Sequence, residues 1–344
     1  MHLPTTLDSE AALDDLLTRP SPPLVEFIRT VRSPLVILGA GGKMGPTLAV
    51  LARRAADAAR HTLDIVAVSR FTDVAARDWL EARGVRTLAC DLLDRAAIAR
   101  LPDTANLVSL VGLKFGTSTN PSATWAVNTL ATAHLCERYA ASRIVALSTG
   151  NVYPPSDVTQ GGSREEAPLT PVGEYANAAV ARERLYEYFS GRSGTPVAIL
   201  RLFYAVELRY GVLVDIARQV LAETPIPLAT GFFNCIWQGD ANELILRALP
   251  LADSPPSVWN LCRPETFSVR EVAHRLGRHL GREPRFNGAE APVALLGISA
   301  RLVERLGPPA TAPEAMLAWI AAWVAAGGRN LGKPTHFEVR DGRY

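Results

Sequence analysis

Residues 34–46 read PLVILGAGGKMGP, and this stretch decides the fold. Four consecutive apolar residues between a proline and a glycine are typical of a short strand that is buried on both faces, as in a parallel sheet. The strand leads directly into a glycine-rich turn, and the stretch from Pro46 onward has the composition of a helix. A strand, a glycine turn and a helix in this order indicate the first unit of an α/β fold that binds a dinucleotide.

The turn has the glycine spacing Gly-x-x-Gly-x-x-Gly, at positions 39, 42 and 45. We expect Gly39 to permit the tight turn and Gly42 to let the backbone approach a pyrophosphate. Gly45 should allow the helix to pack close to the strand, while the N-terminus of the helix stabilises the anion. Lys43 and Met44 lie inside the same turn and are assigned to the cofactor site with it. A flexible turn without a ligand is the alternative, and the position at the first strand–helix junction argues against it.

The rest of the chain alternates between strand-like and helical stretches. Strand-like runs occur at residues 64–69, 85–89, 107–111, 143–147, 197–202 and 258–261, and helical stretches at 46–60, 122–141 and 174–191. This alternation predicts an α/β fold with a Rossmann-type doubly wound parallel sheet and a smaller C-terminal substrate-binding lobe.

Three regions are predicted along the chain. Residues 1–33 form an N-terminal extension, in which Ser9 caps a short helix that a proline cluster then breaks. Residues 34–204 form the NAD(P)-binding Rossmann domain, to which a later strand near 257–261 is added. Residues 205–344 are mainly a substrate-binding lobe.

Composition excludes several classes of protein. The 344 residues carry 36 basic and 34 acidic side chains, so the net charge of +2 gives no reason to expect a nucleic-acid partner. The longest apolar run, 315–326, is too short to span a bilayer, and the N-terminus lacks the pattern of a secretory signal. Unpaired cysteine spacing and the absence of metal-ligand spacing suggest a reducing compartment and no metal. We therefore expect a cytoplasmic protein whose partner is a small molecule in a pocket.

The end of the second predicted strand bears on the choice of cofactor. Enzymes that bind NAD usually place an acidic residue here for the ribose 2′-hydroxyl, but this chain has Ser69 and Arg70. This pair suits a 2′-phosphate, because arginine is a bidentate phosphate partner. Asp73 keeps NAD open, and an arginine simply exposed at a strand end is the alternative. The predicted cofactor is NADP or NAD, with NADP slightly favoured.

Further motifs follow in a fixed order. Asp91 and Leu92 end the third strand, Gly-Leu-Lys at residues 112–114 follows the fourth, and Asn128 lies in the helix after it. The fifth strand continues as STGNVYP over residues 148–154, and a helix with a tyrosine near its start lies downstream.

In this order the motifs resemble the extended short-chain dehydrogenase/reductase superfamily, in its NAD(P)-dependent sugar epimerase/dehydratase branch, over nearly all of residues 35–330. The resemblance implies a homodimer formed by the helices after the fourth and fifth strands. It makes Tyr175 the catalytic tyrosine and Thr149 the donor to the reacting oxygen, with a packed ring and an ordinary strand threonine as alternatives. By position it assigns the cofactor to Gly39, Gly42, Gly45, Asp91, Leu92 and Asn128, and the substrate to Asn151, Arg201 and Phe233.

One departure from the family concerns the catalytic cation. A tyrosine oxygen is a poor base at its free pKa, so it needs a nearby positive charge. The family supplies a lysine one helical turn after the tyrosine, which also holds the nicotinamide ribose, but this chain has Ala179 there. Either Lys114 supplies the charge, since Gly-Leu-Lys resembles a loop of family epimerases, or the chain binds cofactor without this redox chemistry.

A second departure concerns the substrate. Members that use nucleotide sugars usually carry an arginine before the aspartate that matches Asp240, and Phe233 stands at that place. Three other arginines remain as candidate ligands in the lobe, namely Arg209, Arg218 and Arg301. A smaller sugar-like or keto/hydroxy substrate is therefore at least as well supported as a nucleotide sugar.

The sequence thus predicts an NAD(P)-dependent oxidoreductase or epimerase that acts on a secondary alcohol or ketone of a sugar-like substrate. Tyr175 would be the general acid/base, Thr149 the orienting donor and Lys114 the surrogate cation. The alternative is a dinucleotide-binding regulatory or scaffold protein with a decayed or non-redox site.

Overall fold

A computed structural model describes residues 4, 6–114, 116–117, 119–333, 335, 337–339 and 342, and its centre is a seven-stranded parallel sheet. The strands are β1 Leu35–Leu38, β2 Ile65–Ser69, β3 Arg86–Ala89, β4 Asn106–Ser109, β5 Arg143–Thr149, β6 Val197–Leu202 and β7 Ser257–Leu261. In space their order is β3-β2-β1-β4-β5-β6-β7, so the growth of the sheet reverses between β1 and β4. The predicted Rossmann-type doubly wound sheet is confirmed.

Two strand ends differ from the prediction, and both differences affect the site. β4 ends at Ser109 rather than at Val111, so residues 110–114 form a loop beyond the sheet. β5 continues to Thr149 rather than ending at Leu147, because it stays paired with β6 over its last residues. Apolar composition alone could not place these ends, because Leu110 and Val111 are apolar but lie in the loop, whereas the last two residues of β5, a serine and a threonine, are polar.

Helices surround the sheet and build the lobe. Within the described residues they are α1 Glu10–Leu17, α2 Pro22–Ile28, α3 Gly45–Ala58, α4 Val74–Glu81, α5 Arg95–Ala99, α6 Pro121–Arg138, α7 Gly173–Ser193, α8 Val212–Leu221, α9 Gln238–Arg247, α10 Val269–Leu280, α11 Ala300–Leu306 and α12 Pro313–Ala325.

The two faces of the sheet are covered by different helices. Leu35 and Ile37 of β1 belong to the core that contains α2, α3 and α9. Val36 and Leu38 point the other way, into the core formed with α6 and α7. All four side chains are buried, which is why β1 reads as an uninterrupted apolar run.

The C-terminal lobe has its own core, in which α8, α10 and α12 pack on one another. Four pairs of very short strands connect its loops: Ser156–Asp157 with Val293–Ala294, Tyr204–Val206 with Cys235–Trp237, Ile226–Pro227 with Phe286–Asn287, and Phe232–Phe233 with Phe267–Ser268. α9 lies within the range predicted for the lobe, yet it packs against α3 in the core of the sheet. The domain built on the sheet therefore takes one helix as well as β7 from the later part of the chain.

The N-terminal extension is part of the folded core. Ser9 caps α1 as predicted, and its hydroxyl oxygen accepts from the Ala12 amide at 3.2 Å. The proline cluster does not only break this helix, because Pro22 begins α2 and Ser21 caps it. Proline is tolerated there, since the first helical amide has no partner inside the helix. α1 packs into the lobe core and α2 into the core of the sheet.

The four cysteines are all buried and free. This agrees with their predicted role as small apolar side chains. The apolar run near the C-terminus belongs largely to α12, which packs into the lobe core. Among the described helices, none is long and apolar enough to cross a membrane.

Candidate active site

The glycine turn between β1 and α3 is shaped by close backbone packing. Gly39 has φ of +77°, and a Cβ there would lie 3.0 Å from the Leu110 carbonyl carbon. A Cβ at Gly45 would lie 2.4 Å from the Ala40 carbonyl oxygen, so the helix start can approach the strand only with glycine. At Gly42 the nearest atom to a Cβ would be the Gly39 oxygen at 3.3 Å. Gly39 and Gly45 thus serve the fold, whereas Gly42 leaves space for a ligand.

A cleft of about 930 Å³ opens at the carboxyl ends of β1 to β4. Its lining includes the predicted cofactor residues Gly39, Gly42, Ser69, Arg70, Asp91 and Leu92. The cleft lies where doubly wound sheets bind their ligands, beside the strand-order reversal. Its position, the open space at Gly42 and the start of α3 fit a dinucleotide.

Lys43 does not point toward this cleft. Its Nζ donates to the Ala205 carbonyl oxygen at 2.9 Å and lies 4.3 Å from the centre of the Tyr210 ring. Burial disfavours the charged amine and lowers the pKa of Lys43 to about 7, although Glu207 opposes this effect. The side chain therefore ties the glycine turn to the lobe. Met44 is buried in the core of the sheet, which leaves only the backbone of both residues to meet a pyrophosphate.

Arg70 and Asp73, the two candidate contacts of the ribose, differ in whether protein groups already bind the side chain. Arg70 is exposed on the wall of the cleft, and no carboxylate in the described chain forms an ion pair with it. The Asp73 carboxylate caps α4 and accepts from the Ala75 amide at 3.0 Å. Between them, Phe71 is buried with φ of +48°, an unusual conformation for a bulky residue. Of these two side chains, only that of Arg70 has no hydrogen-bond or ion-pair partner among the described residues.

The structure distinguishes the roles of two glycines. Gly42→Val should fold, because a side chain there meets little protein, but it should weaken dinucleotide binding at least about tenfold by blocking backbone approach. Gly45→Val should instead destabilise the fold, since its side chain would overlap the Ala40 carbonyl. Calorimetric titration and thermal unfolding of both variants check this. Wild-type affinity in a folded Gly42→Val protein would contradict the assignment.

The predicted catalytic hydroxyls lie at the end of β5 and the start of α7. Thr149 is the last residue of β5, and its Oγ1 accepts from the Asn151 amide at 3.2 Å. Because a hydroxyl has both a donor and acceptor sites, its proton stays available for a substrate oxygen. Tyr175 is buried in the first turn of α7. Burial raises the pKa of Tyr210, and the nearby Asp215 and Tyr175 raise it further.

Lys114 lies in the loop after β4. Its Nζ is 6.0 Å from the centre of the Tyr204 ring, and burial lowers the pKa of Lys114 to about 8. Tyr204 itself lines a second pocket, which lies between β5 and the lobe. Lys114 therefore stands on the side of the site that faces this pocket.

The second pocket, of about 640 Å³, lies between β5 and the lobe. It is lined by Asn151, Tyr153, Pro155, Val172, Tyr204, Thr230, Phe232, Val293, Ala294, Leu295, Phe337, Val339 and Gly342. Asn151, a predicted substrate residue, is among these lining residues. None of these lining side chains carries a charge.

Phe233 lies outside this pocket. It is buried in the lobe core and stacks on Phe267 with ring centres 5.5 Å apart. Phe232 lines the pocket instead, because successive side chains of a strand point to opposite sides. The predicted substrate contact of Phe233 is therefore one residue out of register.

Arg201 is enclosed by protein. Its Nη2 donates to Glu183 at 2.7 Å, and its Nη1 donates to the Tyr153 hydroxyl at 2.6 Å and to the Glu165 carbonyl at 3.0 Å. Ser148 also donates to Glu183, at 2.5 Å. Arg201 is 4% exposed, so this geometry favours support of the β5 end over the predicted substrate contact.

Asn128 is likewise fully buried, and its amide connects α6 to the loop after β4. The Nδ2 donates to the carbonyls of Thr124 at 2.8 Å and Leu113 at 3.2 Å, and the Oδ1 accepts from Arg182. Asn128 thus positions the wall of the cofactor cleft. The sequence analysis missed Arg182, although it shares a helix face with Tyr175 at i and i+7.

Of the three arginines considered as substrate ligands, two form ion pairs elsewhere and the third is exposed. Arg209 pairs with Glu10 at 3.0 Å and with Glu207 at 3.1 Å. Arg301 pairs with Glu166 at 2.6 Å, and Arg218 is exposed on α8. None of the three lines either cleft.

Solved structures share this fold over most of both chains. MoeE5 in complex with UDP-glucose and NAD has a TM-score of 0.69 at 21% identity, covering 86% of this chain and 99% of that chain. The UDP-glucose 4-epimerase of Thermotoga maritima with UDP-glucose has a TM-score of 0.68 at 15% identity, covering 85% and 98%. DesIV, a dTDP-glucose 4,6-dehydratase of Streptomyces venezuelae with NAD and TYD bound, has a TM-score of 0.70 at 19% identity, covering 84% and 96%.

Sequence comparison decides the family. No curated protein sequence matches the chain. The profile of the NAD dependent epimerase/dehydratase family matches residues 35–228, more than half of the chain. The matched range runs from β1 through β6 and contains the glycine turn, Thr149 and Tyr175. The resemblance drawn from the motifs is thereby confirmed, and the chain belongs to the NAD dependent epimerase/dehydratase family of enzymes.

Proposed function

We propose that this protein is an NAD(P)-dependent oxidoreductase or epimerase that acts at a secondary alcohol or ketone of a sugar-like substrate without a nucleoside diphosphate. The observation that carries the proposal is that the described residues lining the pocket beside the end of β5 include no charged side chain. A diphosphate bound there would have no lysine or arginine among the described lining residues to balance its charge. A small neutral sugar or hydroxyketone requires no such partner.

Different groups supply the hydride chemistry, the proton transfer and the stabilising charge. The glycine turn and the start of α3 would hold the pyrophosphate of a nicotinamide cofactor, which would supply hydride-transfer chemistry. Tyr175 transfers the proton at the substrate oxygen, and the Thr149 hydroxyl donates to the same oxygen and orients it. Lys114 stabilises the phenolate of Tyr175 through its positive charge, the role left open by Ala179.

Change in nicotinamide absorbance tests this proposal directly. The wild type, incubated with NADP or NAD and a panel of aldoses, hydroxyketones and nucleotide sugars, should turn over small neutral compounds and reject nucleotide sugars. A bound cofactor that copurifies without net absorbance change points to an epimerase, in which case product formation is followed by sugar analysis. Turnover of UDP-sugars alone would overturn the substrate class.

A dinucleotide-binding protein without redox activity is the second candidate. Ala179 favours it, because this buried residue packs with Val152 and Tyr153 where the family has a cation. Cofactor binding without turnover of any carbonyl, alcohol or sugar in the panel would establish this candidate.

NADP should bind more tightly than NAD. Arg70 is exposed at the cleft without a carboxylate partner, and a charge-assisted contact to a 2′-phosphate contributes about 1.5–3 kcal/mol. The preference should be about tenfold or more, and Arg70→Met should remove it while leaving NAD affinity unchanged. Titration of both cofactors measures this. Equal affinities in the wild type would mean that Asp73 or the backbone reads the ribose.

We further propose that the protein is a homodimer formed through α6 and α7. Trp125 and Leu130 of α6 and Tyr188 of α7 are large apolar side chains that remain exposed on these two adjacent helices. Leu130→Glu should therefore shift the protein to monomer in light scattering after size-exclusion chromatography. Val74→Glu, which alters an exposed apolar residue on α4, is the control. A monomeric wild type would contradict the proposal.

A further inference from the structure

Arg182 carries a buried positive charge that the proposed mechanism does not use. It is 3% exposed and lies on α7, on the same helix face as Tyr175 and Ala179. Among the described residues no carboxylate pairs with it, and its Nε has no hydrogen-bond partner. Arg201, the other buried arginine near α7, is instead balanced by Glu183.

A buried charge without a counter-charge is costly to fold. The hydrogen-bond partners of Arg182 are neutral, because its Nη1 donates to the Val111 carbonyl at 3.0 Å and to the Asn128 side-chain oxygen. These contacts satisfy part of its hydrogen-bonding capacity but leave its charge uncompensated. Within the described part of the chain, the fold therefore keeps a buried positive charge without a counter-charge.

The position of the guanidinium identifies the ligand site it serves. Val111 and Gly112 line the cofactor cleft, and Arg182 lies directly behind them. A Cβ at Gly112 would stand 2.6 Å from the Arg182 Nη1, so glycine at that position lets the charge come close to the cleft. Long side chains on a helix point back toward its N-terminus, which brings Arg182 toward the turn where Ala179 and Tyr175 lie.

We propose that Arg182 is a positioning residue for the anionic dinucleotide and takes over the cofactor-holding part of the role left vacant by Ala179. It fixes Asn128 and the loop after β4 by hydrogen bonds, and its charge attracts the bound dinucleotide through the thin wall at Gly112. Lys114 acts on the substrate side of the site, so Lys114 and Arg182 share the two roles that a single lysine has in the family. This inference rests on the dinucleotide binding proposed above.

The test is calorimetric titration of NADP and NAD against Arg182→Met and Arg182→Lys. The Met variant should raise the Kd of both cofactors at least about tenfold. The Lys variant keeps a positive charge with hydrogen-bond donors and should lose less affinity than the Met variant. Arg192→Met, an exposed arginine in the last turn of the same helix, is the matched control and should bind normally. Equal losses in the Met and Lys variants would show that charge is not the cause and overturn the proposal.

Gly112→Ala is a second test, because it displaces the Arg182 guanidinium without removing it. It can be used even if Arg182→Met fails to fold. The added methyl displaces the end of a flexible side chain, so the protein should fold with weaker cofactor binding. Wild-type affinity in Gly112→Ala or in a folded Arg182→Met protein would overturn the inference. Failure of the wild type itself to bind either cofactor would instead overturn the proposed function.

Discussion

Tyr175→Phe is expected to lower kcat at least about 100-fold while cofactor affinity stays unchanged, because the substitution removes only the hydroxyl that transfers the proton. The residue is buried in the first turn of α7, so the ring can keep its packing. Steady-state kinetics and cofactor titration measure the two effects separately. Tyr139→Phe, which removes a buried hydroxyl bonded to the Pro102 carbonyl, is the matched control.

Lys114→Met should cause a similar loss, and the pH profile should identify the lysine. Burial lowers the pKa of Lys114 to about 8, so the amine loses its charge as the pH rises through this value. If the cation stabilises the phenolate of Tyr175, wild-type kcat should fall above about pH 8, and this limb should be missing in Lys114→Met. Lys333→Met, an exposed lysine of the C-terminal segment, should behave as wild type. Full activity of both the Tyr175 and Lys114 variants would reassign the chemistry to other groups.

Arg201→Met should destabilise the protein by about 3–5 kcal/mol, because it leaves Glu183 buried without its partner. The Glu183 carboxylate is 1% exposed, and apart from Arg201 it keeps the Ser148 hydroxyl as a donor. Chemical denaturation measures the loss of unfolding free energy. Adding Glu183→Gln to Arg201→Met should recover part of it, since the unpaired charge is then removed.

The same variant separates support from substrate contact. If Arg201 supports the end of β5, a folded Arg201→Met protein should lose stability more than substrate affinity. Unchanged stability together with a raised KM would return Arg201 to the substrate contact that the family resemblance implies.

The sequence determined the sheet and the cofactor turn because their signals are local. A strand buried on both faces must be apolar at every position, so β1 is visible in four residues. Gly39 and Gly45 can be recognised in the sequence for a related reason, because the backbone packs so closely at both positions that only glycine fits. Order along the chain then sufficed to bring Ser69, Asp91 and the glycine turn to one cleft, because parallel strands end at the same edge.

Tertiary structure alone decided which polar side chains face the ligand. Lys43, Asn128 and Arg201 match the site by position, yet each is turned into protein by a partner far away in sequence: Ala205, Arg182 and Glu183 respectively. The register of Phe232 and Phe233 depends in the same way on pairing with a strand more than thirty residues later. A side chain's direction follows from the packing and hydrogen bonding of segments that the chain brings together only on folding, and no local pattern encodes it.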